Sequence, residues 1–298
     1  MKTAAFYYTQ SGQALEALKS ICRPLEVEGM VVYKQIMPQQ EYPFPWSHDA
    51  FFDTMPETRL GMPPSGIVPI DFTDIADADL VVVAGQSWFL SPSLPLQSFF
   101  GDEQVRRYLR GRQVVFVNAC RNMWLMTSRK VRAYCHDTGC RLIGHIVLQD
   151  DAPNLISAYT IARWLIGGKK QSARPLPHAG IAETTLLAAS RFGDIIVTTW
   201  QEGMTEKLQQ RLLEAGAIDY KPSILFLEKA GHRMFGLWAA FIRRKGDFRA
   251  PQRRRRVSMF YYYLLTVLFL ISPFAQLLFC LTRPLQHVGR HKQEDCNL

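Results

Sequence analysis

Charged residues are scarce in this 298-residue chain: Asp, Glu, Lys and Arg make up 20%, and none occurs from Val257 to Thr282. There is no G-x-S-x-G elbow, no Walker loop and no H-E-x-x-H pattern. Hydrolase, P-loop and zincin readings therefore have nothing to stand on. There is no internal repeat, so solenoids and propellers also drop out. The six cysteines (Cys22, Cys120, Cys135, Cys140, Cys280, Cys296) are scattered, and MKTAAFYYTQSGQ is too short an apolar stretch for a signal peptide. Reduced thiols are the expectation, not a disulfide framework. Length sets a prior of about two domains with ample core. A hydrophobic share of 48% is ordinary for a globular protein.

Acidic residues are short in one place only. Of the net charge of +9, the segment 243–256 (RRKGDFRAPQRRRR) carries +7 and the tail 283–298 carries +1. The first 242 residues are nearly neutral. A nucleic-acid binder should show its basic stripe on a folded face, interleaved with contact residues, so no nucleic-acid partner is expected.

The apolar segment after the basic block explains it better. The uncharged stretch 257–282 spans 26 positions, and a bilayer core needs about 20 apolar residues as helix. Arg253–Arg256 precede it, and Tyr261–Tyr263 lie where an aromatic belt would sit. The expected arrangement is a C-terminal membrane helix with the body on the cytoplasmic face of the inner membrane and the basic block on anionic lipids. Pro273 interrupts the segment, and Arg283, Arg290 and Lys292 come after it, so a re-entrant hairpin is the alternative to a full span.

Within the body, short apolar runs alternate with helical patterns. Residues 3–8, 30–36, 79–84, 113–118 and 141–148 read as strands, with Gly85 ending the third. Helices are expected from Gly12 to near Pro24, over 96–109, 124–138 and 154–167, and at Thr205–Ala215. Residues 38–70 read as a long irregular excursion and Ile195–Thr199 as strand-like. Met234–Ile242 reads as an apolar stretch suited to a membrane surface. The pattern predicts a doubly wound α/β fold of about five parallel strands over residues 1–170. An α/β extension (171–242), the basic segment, the membrane segment and the tail complete the chain.

Ligands in such a fold bind at the carboxyl ends of the strands. Three loops fall there. Thr9-Gln10-Ser11-Gly12-Gln13 lies between a first strand and a first helix, where hydroxyls, backbone N–H groups and a helix N-terminus make a phosphate cradle. Helix capping explains the same residues without a ligand. Gly85-Gln86-Ser87-Trp88-Phe89 and Asn118-Ala119-Cys120-Arg121-Asn122-Met123-Trp124 offer small residues that let a ring approach and a Trp that stacks on it. Core packing is the competing account of each Trp.

These residues resemble flavodoxin-like proteins, whose first loop, T-x-[ST]-G-x, binds the FMN phosphate and whose third-strand loop covers the isoalloxazine. Thr9–Gln13 matches the first motif and Gly85–Phe89 with Pro95 matches the second loosely. Ala14 stands where a further hydroxyl is usual. A narrower resemblance, over Tyr7–Glu57 with Pro43-Phe44-Pro45-Trp46 as its most distinctive piece, is to the dialkylresorcinol condensing enzyme family. That resemblance implies work beside a ketosynthase on an alkylated cyclohexanedione-type intermediate, in dialkylresorcinol or aryl-polyene-type lipid biosynthesis.

A condensing role would need an activated Cys with His partners, and no paired-His pattern surrounds Cys120. The expected activity is an FMN-dependent aromatase on a lipophilic polyketide-type substrate. His48 is the candidate proton acceptor, and Arg121 the charge that stabilises reduced flavin. Two alternatives stay open: a membrane-bound NAD(P)H:quinone reductase, and a flavin-free scaffold docking a ketosynthase or acyl carrier protein. Cys135, His136 and Cys140 lack a fourth ligand, so no metal is expected. Asp150-Asp151 reads as a proton acceptor or a helix cap, and His145 as a core residue.

Overall fold

The longest runs of β-branched residues build the centre of the sheet. In the computed structural model, which describes residues 1–171, 176–271 and 274, β1 (Lys2–Tyr7), β2 (Met30–Gln35), β3 (Leu80–Trp88), β5 (Gln113–Cys120) and β6 (Arg141–Gln149) pair in parallel in the order β2-β1-β3-β5-β6. The two-residue β4 (Ser91–Pro92) folds back antiparallel on β3. Thr3 pairs with Leu80, Val82 with Val115 and Val117 with Ile146. Both faces are covered, as a parallel sheet requires. Ala5, Val82 and Val117 pack under α1 (Gln13–Glu28) with α8 (Glu183–Ala188), α9 (Ser190–Gln201) and α10 (Leu208–Glu214). Phe6, Val83 and Phe116 pack under α4 (Leu94–Gly101), α5 (Glu103–Leu109) and α6 (Leu125–Thr138).

The order places one switch point between β1 and β3, where successive connections leave in opposite directions. The five expected parallel strands are all present, and the order is that of flavodoxin-like folds.

Several expectations are corrected. β3 does not end at Gly85: it pairs with β5 through Gln86, reaches Trp88 and turns back through Phe89 and Leu90, both at positive φ. Gly85 is small because an added Cβ would stand 2.8 Å from Leu96 Cδ2, so it serves helix packing. α1 runs past Pro24 to Glu28, burying Leu25, and Gly193 of α9 crosses close against the Ile21 carbonyl and the Pro24 ring. The single helix expected over 96–109 is two, broken at Asp102, whose carboxylate accepts the N–H groups of Gln104 and Val105. The run Ile195–Thr199 lies inside α9, with Phe192, Ile196 and Thr199 buried along one face.

The excursion after β2 is not wholly irregular. It holds α2 (His48–Asp53), capped by Ser47, and α3 (Met55–Leu60), with Pro56 in its first turn. α11 (Pro222–Arg243) packs along α3, and α12 (Arg254–Thr266) packs along α2. Met234–Ile242 belongs to α11, and its Phe235, Ala239 and Ile242 are buried with Phe52, Met55, Val257 and Phe260.

The basic block is correspondingly not all free for lipid. Arg253 is fully buried, donating to Asp53 Oδ1 at 2.6 Å and to the two Glu57 oxygens at 2.7 and 2.8 Å. Arg243 also reaches Glu57, at 3.0 Å. Among the described residues no helix is long and apolar enough to cross a membrane. Of the expected span 257–282, residues 272, 273 and 275–282 lie outside the described residues, as does the tail.

Candidate functional site

The β1–α1 loop stands at the switch point. Gly12 adopts φ +90°, which costs a residue with a Cβ about 1–2 kcal/mol, and so turns the chain into the helix. Thr9 Oγ1 accepts the Gly12 N–H at 3.0 Å. The N–H groups of Leu15 and Glu16 both go to the Gly12 carbonyl. Among the described residues, the N–H groups of Ser11, Gln13 and Ala14 meet no acceptor. They open toward the helix N-terminus, where an anion is favoured.

The other two members of the loop are engaged elsewhere. Gln13 pairs with Ile181 at both ends of its amide, donating to the carbonyl at 2.8 Å and accepting the N–H at 3.2 Å. Gly180, at φ +87°, passes so close to Gln13 and the Trp164 ring that no Cβ fits. This segment straps the flank of α1. Gln10 Oε1 accepts from Trp46 Nε1 at 3.3 Å and from Gln86 Nε2 at 3.2 Å, which ties the Pro-Phe-Pro-Trp run to the loop.

Beside Gln10 stands an aromatic wall. Trp88 meets Tyr8, Tyr42 and Trp46 edge-on, with centroids 6.0, 5.2 and 5.5 Å apart. Burial pushes the Tyr8 and Tyr42 hydroxyls well above the usual phenol range, so both stay neutral. Trp88 is 6% exposed, and Phe89 turns away to pack tilted against Phe51, 4.7 Å between centroids.

The third loop collects polar atoms that lack partners. Ser87 Oγ lies 3.1 Å from Asn118 Oδ1 and 2.8 Å from Thr127 Oγ1. Asn122 Nδ2 donates to Asn154 Oδ1 at 2.8 Å, and Arg121 Nη1 donates to the same oxygen at 2.8 Å and to the Asn154 carbonyl at 3.0 Å. That leaves Asn118 Nδ2, Asn122 Oδ1 and Asn154 Nδ2 buried with no partner. Each such group costs about 1–3 kcal/mol unless something fills it. Three of them at one sheet edge suit a planar ring with alternating donors and acceptors. Ala119, beside them, adds no polar atom.

Asn154 opens α7 (Asn154–Gly167), which runs over this edge with Ser157, Thr160 and Trp164 inward. Asp150 holds its start, accepting from Ser157 Oγ at 2.7 Å and from the Ala152 N–H at 2.9 Å. Asp150 therefore ties the loop before α7 to Ser157 and caps no α7 N–H, and Asp151 stays exposed and accepts from Thr185.

Burial lowers the Arg121 guanidinium to about 10 against the pull of Asp150, and it remains charged at neutral pH. Burial and neighbouring Glu228 push the Cys120 thiol up, out of nucleophile range. Trp124 is 1% exposed and tilts against His145, 5.9 Å between centroids, as a core side chain. His48 lies in the seam between α2 and α12, edge-on to Tyr261 at 4.0 Å, with Nδ1 3.2 Å from Asp49. The structure therefore brings Thr9–Gly12, Gln86 and the Asn118–Asn122 loop to one edge, and places His48 in the helical cap. Cys135 and Cys140 are buried free thiols, while His136 is 90% exposed.

Sequence reasoning placed α7 but missed the roles of Asn154 and Glu228. Glu228 is fully buried and accepts the N–H groups of Leu125 and Met126 at 3.1 and 2.7 Å, capping α6. Its signal was a lone acid in the apolar run 222–242.

The strand order β2-β1-β3-β5-β6 and the turn at its switch point make a flavodoxin-like α/β fold. No protein-family model matches the chain, and no curated protein matches it. Among solved structures it is similar to a flavodoxin from the domain Archaea (10% identity, 70% of this chain and 99% of that one, TM-score 0.39). It is also similar to a flavoprotein in complex with FMN from Lactobacillus acidophilus NCFM (18%, 49% and 92%, TM-score 0.39). A third is the flavodoxin, WrbA-like protein from Agrobacterium tumefaciens (9%, 66% and 98%, TM-score 0.36).

Proposed function

We propose that this chain is an FMN-dependent oxidoreductase acting on a lipophilic cyclic substrate. The observation that carries the reading is the set of unmet polar groups at one sheet edge: free N–H groups at Ser11, Gln13 and Ala14, and orphaned amide atoms at Asn118, Asn122 and Asn154. The first group suits a phosphate, the second the polar rim of a flavin ring. When bound, FMN supplies hydride acceptance and donation. The Thr9 and Ser11 hydroxyls and the Ser11, Gln13 and Ala14 N–H groups would hold the phosphate. The Asn118–Asn122 loop would hold the ring, and Arg121 would place a fixed positive charge near it.

The aromatic wall of Tyr42, Trp46 and Trp88 supports an apolar substrate. The exposed Met259, Tyr262, Phe269, Leu270 and Ile271 beyond Arg254 and Arg255 support a membrane surface as the meeting place. The finer proposal is an aromatase on a long-chain cyclohexanedione-type intermediate, beside a ketosynthase, in dialkylresorcinol-type lipid biosynthesis. The near-neutral body also supports an enzyme over an acidic electron carrier.

The test is the absorption spectrum of purified protein after incubation with FMN and desalting. Retained flavin peaks are expected. Asn118→Leu, which removes an orphaned amide, should weaken FMN binding about tenfold for each 1.4 kcal/mol lost. Colourless protein that stays colourless with FMN overturns the reading.

A further inference from the structure

Away from the sheet-edge site, α3, α6 and α11 bring basic side chains together. Arg59 ends α3, Lys130 lies on α6 and His232 on α11, and all three are half-buried. Arg59 Nε donates to the His232 carbonyl at 2.8 Å. His232 Nδ1 lies 3.3 Å from the Leu90 carbonyl, which fixes the proton on Nδ1. Lys130 Nζ has one long contact, to Gln97 Oε1 at 3.4 Å.

Two glycines keep space around the cationic heads. A Cβ on Gly61 would stand 2.8 Å from Lys130 Nζ, and one on Gly236 would stand 3.1 Å from Arg59 Nη2. Among the described residues no carboxylate answers these charges. Burial and Arg59 lower the Lys130 ammonium to about 8. Burial, Arg59, Lys130 and Arg129 lower His232 to about 4, with only the Leu90 carbonyl opposing. Burial alone lowers Arg59.

We propose that Arg59, Lys130 and His232 form a second anion site that binds a phosphate ester. Two fixed charges with a histidine that becomes a donor on protonation match a dianion better than a single carboxylate. A phosphate group carries about −1.5 to −2 at neutral pH. The terminal nitrogens of Arg59 supply a forked donor pair, and Lys130 supplies a point charge. The site is separate from the Thr9–Ala14 loop and stands whether or not flavin binds there.

The experiment reads Lys130 directly. The full-length protein in phosphate-free buffer is pulsed with acetic anhydride, and acylation of Lys130 is measured by peptide mass spectrometry relative to exposed Lys207. Inorganic phosphate, glycerol 3-phosphate and phosphatidylglycerol vesicles are the probes. An anion that raises the Lys130 pKa by one unit lowers its free-amine fraction about tenfold. A protection of that order by phosphate or glycerol 3-phosphate, lost in Arg59→Gln, supports the site with a soluble ester as its source. Protection by vesicles alone, also lost in Arg59→Gln, supports it with a lipid headgroup as the source. In Lys130→Gln the His232 ring proton shift still moves with the ligand, an independent reading if Arg59→Gln folds poorly. No protection by any probe, or protection that persists in Arg59→Gln, overturns the proposal.

Discussion

Replacing Arg253 by Met should destabilise the protein by about 3–5 kcal/mol, the cost of stranding a buried charge partner. Arg253 is 0% exposed and Glu57 1%. Removing the guanidinium takes away contacts to both Glu57 oxygens, to Asp53 Oδ1 and to the Asp53 carbonyl. Arg243 then faces Glu57 alone, through one contact at 3.0 Å. Burial of the shorter Met side chain restores some packing but no charge. Arg253→Lys should recover little, because an ammonium cannot match the fork that reaches two oxygens of Glu57 and one of Asp53 at once. Glu57→Gln combined with Arg253→Met should cost less than the sum of the two, since the uncompensated carboxylate is gone. Urea unfolding followed by intrinsic tryptophan fluorescence measures each variant; Trp238 packs on Phe260 beside this cluster. A loss below about 1 kcal/mol for Arg253→Met, within the range of an exposed ion pair, would refute the reasoning.

Stability should depend on pH through two buried groups with opposite signs. Burial lowers His145 to about 3 from 6.5, so protons favour the unfolded chain and stability is lost as pH falls below 6.5. Burial raises Glu228 to about 7 from 4.5, so stability is lost as pH rises from 4.5 to 7. Between about 4.5 and 6.5 they oppose each other. Glu228→Gln should unmask a rise with pH of up to about 1.4 kcal/mol per unit. Identical profiles for the two proteins would contradict this. Gly180→Ala, at φ +87° against the Trp164 ring, should break the Gln13–Ile181 pair and speed amide exchange at Ile181; unchanged exchange would show that the strap tolerates a Cβ. A chain ending at Gln252 should be less stable than one ending at Ile271 by more than the Arg253→Met loss, since buried Val257 and Phe260 go with Arg253, as measured by thermal denaturation. Equal melting temperatures would mean that α12 is not part of the fold.

The sheet was legible because its signal is local. Leu80–Ala84 is five consecutive fully buried residues in β3, and such a run reads as a central parallel strand from composition alone. The turn from β1 into α1 was legible for the same reason, since strand, Gly12 and helix are contiguous. The misses have a common cause in contacts between residues far apart in sequence. Ile195–Thr199 has the β-branched residues of a strand, yet α9 wins because one helical face buries against α1. The prolines and aromatics of 43–56 read as irregular, although Ser47 and Pro56 are the helix-start residues that α2 and α3 use. Trp124 reads as a ring platform, and only the packing of β6 shows that His145 already covers it.

The arginine run shows the same cause at its longest range. Along the chain, Arg253–Arg256 is one charged flank for a membrane segment. In the fold, Arg253 turns inward because Asp53 and Glu57, 200 and 196 residues away, reach it. Arg256 stacks on Phe241 at 3.9 Å, while Arg254 and Arg255 stay exposed. Two features that the sequence separates, an aromatic excursion after β2 and a basic block near the end, are therefore halves of one helical cap. Its contacts continue inward: Tyr261 meets His48, and Trp46 donates to Gln10 of the candidate phosphate loop. A lipid surface that holds α12 would thus hold the wall of the candidate site as well, with no separate tether between them.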